Sequence, residues 1–519
     1  MLRLSVALAL VAFAAAASPK RFEGQLSLVD LPDGEEWAVS GVDGLMPLGK
    51  GLKPPKNDKR GFPILAGAVV SLNCTTTDAN GQCTYVSSSD ASVLQPALVP
   101  SSARSPVAER LLVMVLDMTT CSPTSYPNTA TADSVKTLWM GASGDGTGGH
   151  AIKFEQCSYG TLTFNATAFS SLTVQVSCTS LMTVNCSYSA FSNAADTAAK
   201  AIIGTTAFSG FTHYTYVLPP GFQSICGWSG LALLPGKQTW LQTSSYGINR
   251  WATVMQESIH NFGLWHSWQG NPPVEYADYS TAMGRGDACP NAPELFYMGW
   301  ASAVTGGAAV NSAALPTPGS ALTFNLPATY LTASGNFIRI KPDWLPTYSN
   351  ILTGRNLYIS LRIAKVGDAT LGTSYAGKVN VHVLNATVDN SYPTSYYYTD
   401  RRITFQAAVA PMTQANLTDY NLVVYAGSWV GTDIVKVYVC RYSSTPAECP
   451  TLQYLEARPS LPPSPAPSPA PPGMPSRPPS PAPPPSPPPS PPPPPKNGGG
   501  SGGGGGGNGK GRRMLRRAA

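Results

Sequence analysis

The pattern of apolar and polar positions divides the chain into stretches of different character. From residue 18 to about 107 short apolar runs, such as 64–72 and 83–86, alternate with Gly, Asp and Asn turns, which predicts strands. Residues 111–116, LLVMVL, are apolar throughout and predict a strand buried on both faces. Helical patterns follow at 132–140 and 194–203, then a strand at 213–218. Trp251, Met255, Ile259 and Phe262 recur at helical spacing and predict an amphipathic helix over 248–262. Strands alternating with helices make 108–300 a mixed α/β domain. Beyond residue 301 the helical period disappears. Runs at 337–340, 357–363, 379–384, 422–425 and 434–439 are rich in β-branched and aromatic residues and predict a β module ending near 455.

The ends of the chain follow other rules. Residues 1–17 place Arg3 before an apolar run that closes in small alanines, the layout of a secretory signal cut near Ala17. No other stretch reaches the ~18 apolar residues that span a bilayer, so no stable membrane anchor is expected. Residues 456–519 run from Ser-Pro and Ala-Pro repeats, which favour polyproline II, into a glycine tract and a basic end, all expected to be disordered. The formal charge of +6 is matched by Lys496, Lys510, Arg512, Arg513, Arg516 and Arg517 in that tail. The remainder is neutral, which argues against a nucleic-acid partner. Ten cysteines without a CxxC pair favour disulfides over a thiolate metal site. Cys74/Cys83, Cys178/Cys186 and Cys440/Cys449 are close enough in sequence to close short loops, although spacing alone does not settle connectivity. Sequons at Asn73, Asn165, Asn185, Asn385 and Asn416 are candidate glycosylation sites on the same secretory route.

The chemistry concentrates in Gln256-Glu257-Ser258-Ile259-His260-Asn261-Phe262-Gly263-Leu264-Trp265-His266. On a helix Gln256 and His260, four apart, share a face. Gly263 can adopt the left-handed turn that brings His266 back to them. Three metal ligands then converge, with Glu257 beside them as the acid/base; this is the logic of the HExxHxxGxxH zincins. A divalent ion in such a site activates water and polarises a peptide carbonyl. Met283, 17 residues beyond His266 in a Tyr-Ser-Thr-Ala-Met-Gly segment, is a candidate Met-turn supporting the site. His150 and His382 lack any partner pattern and read as structural, as does His213. Residues 228–234, WSGLALL, fit an edge strand lining a cleft and fit a core segment equally well. Arg285-Gly286-Asp287 spells an adhesion tripeptide but lies inside the segment after the Met-turn, where it reads as coincidence.

With these residues the chain resembles a metzincin and, more narrowly, the gametolysin family of green-algal metalloproteases. Cys157-Ser158-Tyr159-Gly160, Cys226-Gly227-Trp228-Ser229-Gly230 and Cys289-Pro290-Asn291-Ala292-Pro293 extend the resemblance over most of 108–300. It implies a metzincin-like α/β catalytic domain flanked by β-rich regions, and a secreted endopeptidase acting on cell-wall or matrix glycoproteins. The Pro-rich tail is similar to algal wall proteins and implies a matrix contact. One position departs from the motif: Gln256 replaces the first histidine. An amide oxygen is a weaker donor than imidazole, so zinc is joined by copper as a candidate ion. A QExxH variant occurs among the algal members, which favours a working site. The rival reading is an inactive structural or matrix-binding wall glycoprotein on a degenerate scaffold. Residues 18–107 are a candidate propeptide, with Arg104 or Arg110 as the candidate cut; pairing of Cys74 with Cys83 would leave no thiol for a cysteine switch.

Overall fold

A computed structural model describes residues 20–78, 82–97, 105–121, 124–390 and 401–457. The signal-like 1–17 segment, Arg104 and the Pro-rich tail from residue 458 onward lie outside the described residues.

The N-terminal region is a meander. Strands β1 (Lys20–Leu31), β2 (Gly34–Gly41), β3 (Gly44–Pro47), β4 (Val69–Cys74) and β5 (Ala91–Gln95) form an antiparallel sheet in the order β3-β2-β1-β4-β5. The predicted run at 64–72 becomes a strand only from Val69, because residues 65–68 turn to carry the chain past Leu26.

The central sheet comprises β6 (Leu111–Asp117), β7 (Ser170–Gln175), β8 (His213–Leu218), β9 (Gly230–Ala232) and β10 (Gln238–Gln242), in the order β7-β6-β8-β10-β9. All its pairs are parallel except β9 with β10, so the edge strand runs against the rest. Side chains alternate across a strand. Leu111, Val113 and Val115 of β6 therefore enter one core, while Leu112, Met114 and Leu116 enter the other. Helices α1 (Ala132–Met140), α2 (Gly149–Ser158) and α4 (Trp251–His260) cover the first face, and α3 (Tyr188–Ile203) covers the second. The helix expected from residue 194 starts six residues earlier, where Ser187 Oγ accepts from the Ala190 N–H.

After α4 come β11 (Ser267–Gln269), β12 (Val274–Glu275) and the short helix α5 (Ala292–Tyr297). The C-terminal β module follows, with β13 (Ala321–Pro327), β14 (Phe337–Ile340), β15 (Arg355–Arg362), β16 (Lys378–Asn385), β17 (Ile403–Val409), β18 (Thr413–Leu417), β19 (Leu422–Trp429) and β20 (Ile434–Arg441). A six-stranded sheet, β12-β11-β17-β16-β15-β14, and a four-stranded sheet, β13-β20-β19-β18, share one apolar core. Because β11 pairs in parallel with β17, the segment directly after His266 belongs to the sheet of the C-terminal module.

All ten cysteines pair, as Cys74–Cys83, Cys121–Cys178, Cys157–Cys289, Cys186–Cys226 and Cys440–Cys449. The short loop suggested by Cys178 and Cys186 does not form. A helical turn at Ser180–Thr183 and a left-handed Cys186 (φ 49°) separate the two, and each finds a partner on another element.

Candidate metal centre

Helix α4 places Gln256 and His260 one turn apart on the wall of a cleft that is also lined by Glu257, His266, Tyr276 and Asp30. Three residues past its end, Gly263 adopts φ +95°, a conformation that favours glycine, and the chain doubles back. His266 thereby returns to His260, and their Nε2 atoms lie 3.0 Å apart. Both histidines are buried.

The outer nitrogens decide what those Nε2 atoms can do. His260 Nδ1 lies 2.7 Å from the Leu264 carbonyl oxygen, which only accepts, so Nδ1 carries the proton. His266 Nδ1 lies 2.9 Å from the Glu275 carboxylate and is a donor for the same reason. Burial lowers both imidazole pKa values to about 3, reinforced at His260 by His266 and at His266 by Arg401, so each ring is neutral with a single N–H. Two bare lone pairs therefore face each other at 3.0 Å. A cation between them removes the repulsion: two nitrogens each ~2.0–2.1 Å from a tetrahedral zinc stand roughly 3.3 Å apart. The donor set fits a divalent ion, held by His260 Nε2 and His266 Nε2, with Gln256 on the same helix face.

Glu257 is buried in the same cleft, and its carboxylate crowds the edge strand. A Cβ at Gly230 would stand 2.5 Å from Glu257 Oε1, so only glycine leaves room for it. Burial, and then Asp30, push the Glu257 pKa well above the carboxylate range. A bound cation would act in the opposite direction.

Met283 is fully buried in the core that also contains Met255, Ile259 and Leu264 of the helix and the turn after it. Its carbonyl accepts from Ser267 N–H at 2.9 Å, which ties this turn to the residue after His266. The turn itself is braced by Asp278, whose carboxylate accepts from Ser280 N–H (2.8 Å), Ser267 Oγ (2.7 Å) and His382 Nε2 (3.2 Å). His382 on β16 is thus a structural strut under the Met283 turn. His150 bonds to the Ile248 carbonyl, and His213 lies beside Glu109; neither lines the cleft. The Arg-Gly-Asp tripeptide is tied to α4, since Arg250 pairs with Asp287 and donates to the Arg285 and Gly286 carbonyls. Residues 228–234 supply the edge strand β9, and Gly230, Leu231, Ala232 and Leu234 line the cleft.

Glu275, Asp30 and Tyr276 escaped the sequence reading. Asp30 Oδ2 lies 3.5 Å from His266 Nδ1 and accepts from the Tyr276 hydroxyl at 3.3 Å. Nothing local marks these residues, because β12 and β1 reach the site only through tertiary pairing. Of the sequon asparagines, Asn73, Asn185 and Asn416 are exposed and Asn165 is half-buried. Asn385 is buried and its Nδ2 donates to the Ile351 carbonyl, which leaves no room for a glycan in the folded chain.

A helix-borne and a loop-borne imidazole meet in a cleft that Glu257 also lines, which is donor chemistry suited to a metal-dependent hydrolase. Comparison with known proteins narrows the class to metallopeptidases. The family model for gametolysin peptidase M11 matches residues 110–419, more than half of the 519-residue chain, and the chain belongs to that family. It is also similar to an autolysin of Chlamydomonas reinhardtii, 35% identical over 98 residues, which is 17% of this chain and 15% of the autolysin. No solved structure matches. Among the described residues no helix is long and apolar enough to cross a membrane.

Proposed function

We propose that the chain is a secreted metal-dependent endopeptidase of the metzincin type that cleaves cell-wall or extracellular-matrix glycoproteins rich in proline or hydroxyproline. The observation that carries this reading is the pair of lone-pair nitrogens of His260 and His266 facing each other beside Glu257 in one cleft. A divalent ion held by these histidines and Gln256, zinc or copper, would supply Lewis acidity to a peptide carbonyl and activate water.

The chain's own groups do the rest. The antiparallel edge of β9 offers backbone N–H and C=O groups to an extended peptide, which aligns a scissile bond with the cleft. Glu257, packed against the bare Gly230, takes the proton of the attacking water on a carboxylate oxygen and delivers it to the leaving amine. Glu275 holds His266 in the tautomer that leaves Nε2 free. The Met283 turn, strapped to Ser267, fixes the segment that presents His266. Five disulfides, the signal-like first 17 residues and the accessible sequons support export. The likeness to an autolysin and the Pro-rich tail support a wall or matrix substrate.

Glu257→Gln tests the mechanism. Cleavage of wall glycoprotein should fall by at least ~100-fold, the scale of a lost general base, while ion content and the far-UV spectrum stay unchanged. Undiminished cleavage by this variant would refute the assignment.

A further inference from the structure

A second cleft, of about 610 Å³, shares no lining residue with the metal centre. Its volume falls inside the ~300–1,000 Å³ of sites that hold small ligands. One wall is the hairpin between β1 and β2, residues 31–36, continued by residues beyond β3. The other wall combines the segment leading into α3, residues 181–188, with residues 225–228. The Cys186–Cys226 disulfide fixes the two parts of that second wall to each other.

The lining selects a chemical class. Trp228 and Tyr188 offer ring surface, and Asp33, Glu35 and Glu36 set three carboxylates against the one ammonium of Lys50. Lys50 already pairs with Asp33, and Glu35 pairs with Arg401. Glu36 is half-buried, and burial, then Asp33, raise its pKa to about 7. Beside it the buried Tyr188 hydroxyl lacks a hydrogen bond of normal geometry. An anion is repelled by this surplus of carboxyl groups, and a wholly apolar ligand would strand Glu36 and Tyr188. A neutral polyol satisfies both. Its hydroxyls donate to a carboxylate and accept from a phenol, while its C–H faces pack on the rings.

The chain carries the attachment point for such a group at the cleft itself. Asn185, of the sequon Asn185-Cys186-Ser187, is exposed and lines this cleft, whereas the exposed sequon residues Asn73 and Asn416 do not. Resting on the export reading above, we propose that the cleft is the seat of the glycan carried by Asn185. The first sugars fold back against Trp228 and Tyr188, and their hydroxyls bridge Glu36 and the Tyr188 phenol. Seated there, the glycan joins the β1–β2 hairpin to the segment before α3. It adds to the clamp by which Asn193 of α3 bonds both backbone groups of Leu45, at 2.8 and 2.9 Å.

The test uses the full chain secreted from a eukaryotic host, with occupancy of each sequon read by peptide mass. Native protein is treated with an endoglycosidase that cuts between the first two sugars, and release is timed at Asn73, Asn185 and Asn416. Release at Asn185 should be about ten-fold slower than at the other two, the scale of one or two net hydrogen bonds. The three rates should agree once the chain is unfolded. The double variant Glu36→Ala with Tyr188→Phe keeps the rings but removes the polar pair, and should bring Asn185 to within about three-fold of the others. Glu36→Gln alone keeps an acceptor and should retain most of the protection. Equal native rates at the three sites, or a bare Asn185 beside occupied Asn73 and Asn416, would overturn the seat and leave the export reading standing. Slow release that the double variant does not relieve would assign the protection to crowding and overturn the cleft as its cause. Sugar at none of the sites would bring down the export reading and the seat together.

Discussion

Glu275 is the sharpest test of how the site is built. Its carboxylate accepts from His266 Nδ1 at 2.9 Å, and that bond keeps Nε2 unprotonated and aimed at His260. Replacing it with leucine removes a charge-assisted hydrogen bond and frees the ring to rotate or change tautomer. Loss of such an outer partner typically costs ~10–100-fold in metal affinity, or ~1.4–2.7 kcal/mol. Asp30, 3.5 Å from the same nitrogen, is a second acceptor that partly replaces it. The single Glu275→Leu variant is therefore expected near the ten-fold end, and the double variant with Asp30→Ala near the hundred-fold end, more than the two single losses added, because either carboxylate alone still accepts from Nδ1. Glu275→Gln keeps an acceptor without the charge and should lose about half the free energy of the leucine variant. The assay is zinc titration in competition with a chromogenic chelator, followed by thermal unfolding of the ion-free proteins. The Glu275 side chain is 39% exposed and β12 pairs through backbone, so ion-free stability should change little. Unchanged zinc affinity in the double variant would refute the argument that a carboxylate sets the His266 tautomer.

Two further predictions concern the frame. Cys157 of α2 and Cys289, just before α5, close a 132-residue loop, for which the chain-entropy model gives ~5 kcal/mol; changing both to serine should lower the melting temperature by on the order of 10 °C, and a shift of only a degree or two would contradict the estimate. Glu109 is buried, its Oε1 has no hydrogen-bond partner and lies 3.7 Å from His213 Nε2, and burial raises its pKa to about 8. The folded state therefore keeps a proton that the unfolded chain releases near pH ~4.5, so its contribution to stability is fullest at low pH. That contribution declines by up to ~1.4 kcal/mol per unit as pH rises toward 8. Glu294, Asp30 and Glu36 are raised in the same way and add to the slope, so Glu109→Gln should lessen it in denaturant titrations by up to ~1.4 kcal/mol per pH unit, and an unchanged slope would show that Glu109 contributes nothing to it.

Much of the site was readable because its signal is local. A helix repeats its face every three to four residues, so Gln256 and His260 had to share one. Glycine at 263 was needed where φ turns positive, and the wholly apolar 111–116 run fitted a strand buried on both faces. The observed strand ends at His213–Leu218 and Phe337–Ile340 coincide with those expected, because β-branched and aromatic runs there are bounded by turn residues.

What stayed hidden depends on pairing between distant elements. Asp30 meets Tyr276 across 246 residues, and only the docking of β1 on the Leu234 edge brings it to the metal cleft. Glu275 reaches His266 because β12 folds back on β11, itself held by β17 from the C-terminal module. Cys178 and Cys186 were neighbours in sequence yet bond to Cys121 and Cys226, because the elements between them set the directions of their side chains. The sequence by itself determined that Gln256, Glu257, His260 and His266 would lie close together and where most helices and strands fall, since those properties follow from side-chain chemistry and short periods. The tertiary structure alone decided the tautomer of the ligands, the occupant of the cleft and the cross-links, since each is a property of two segments and no local pattern records the second.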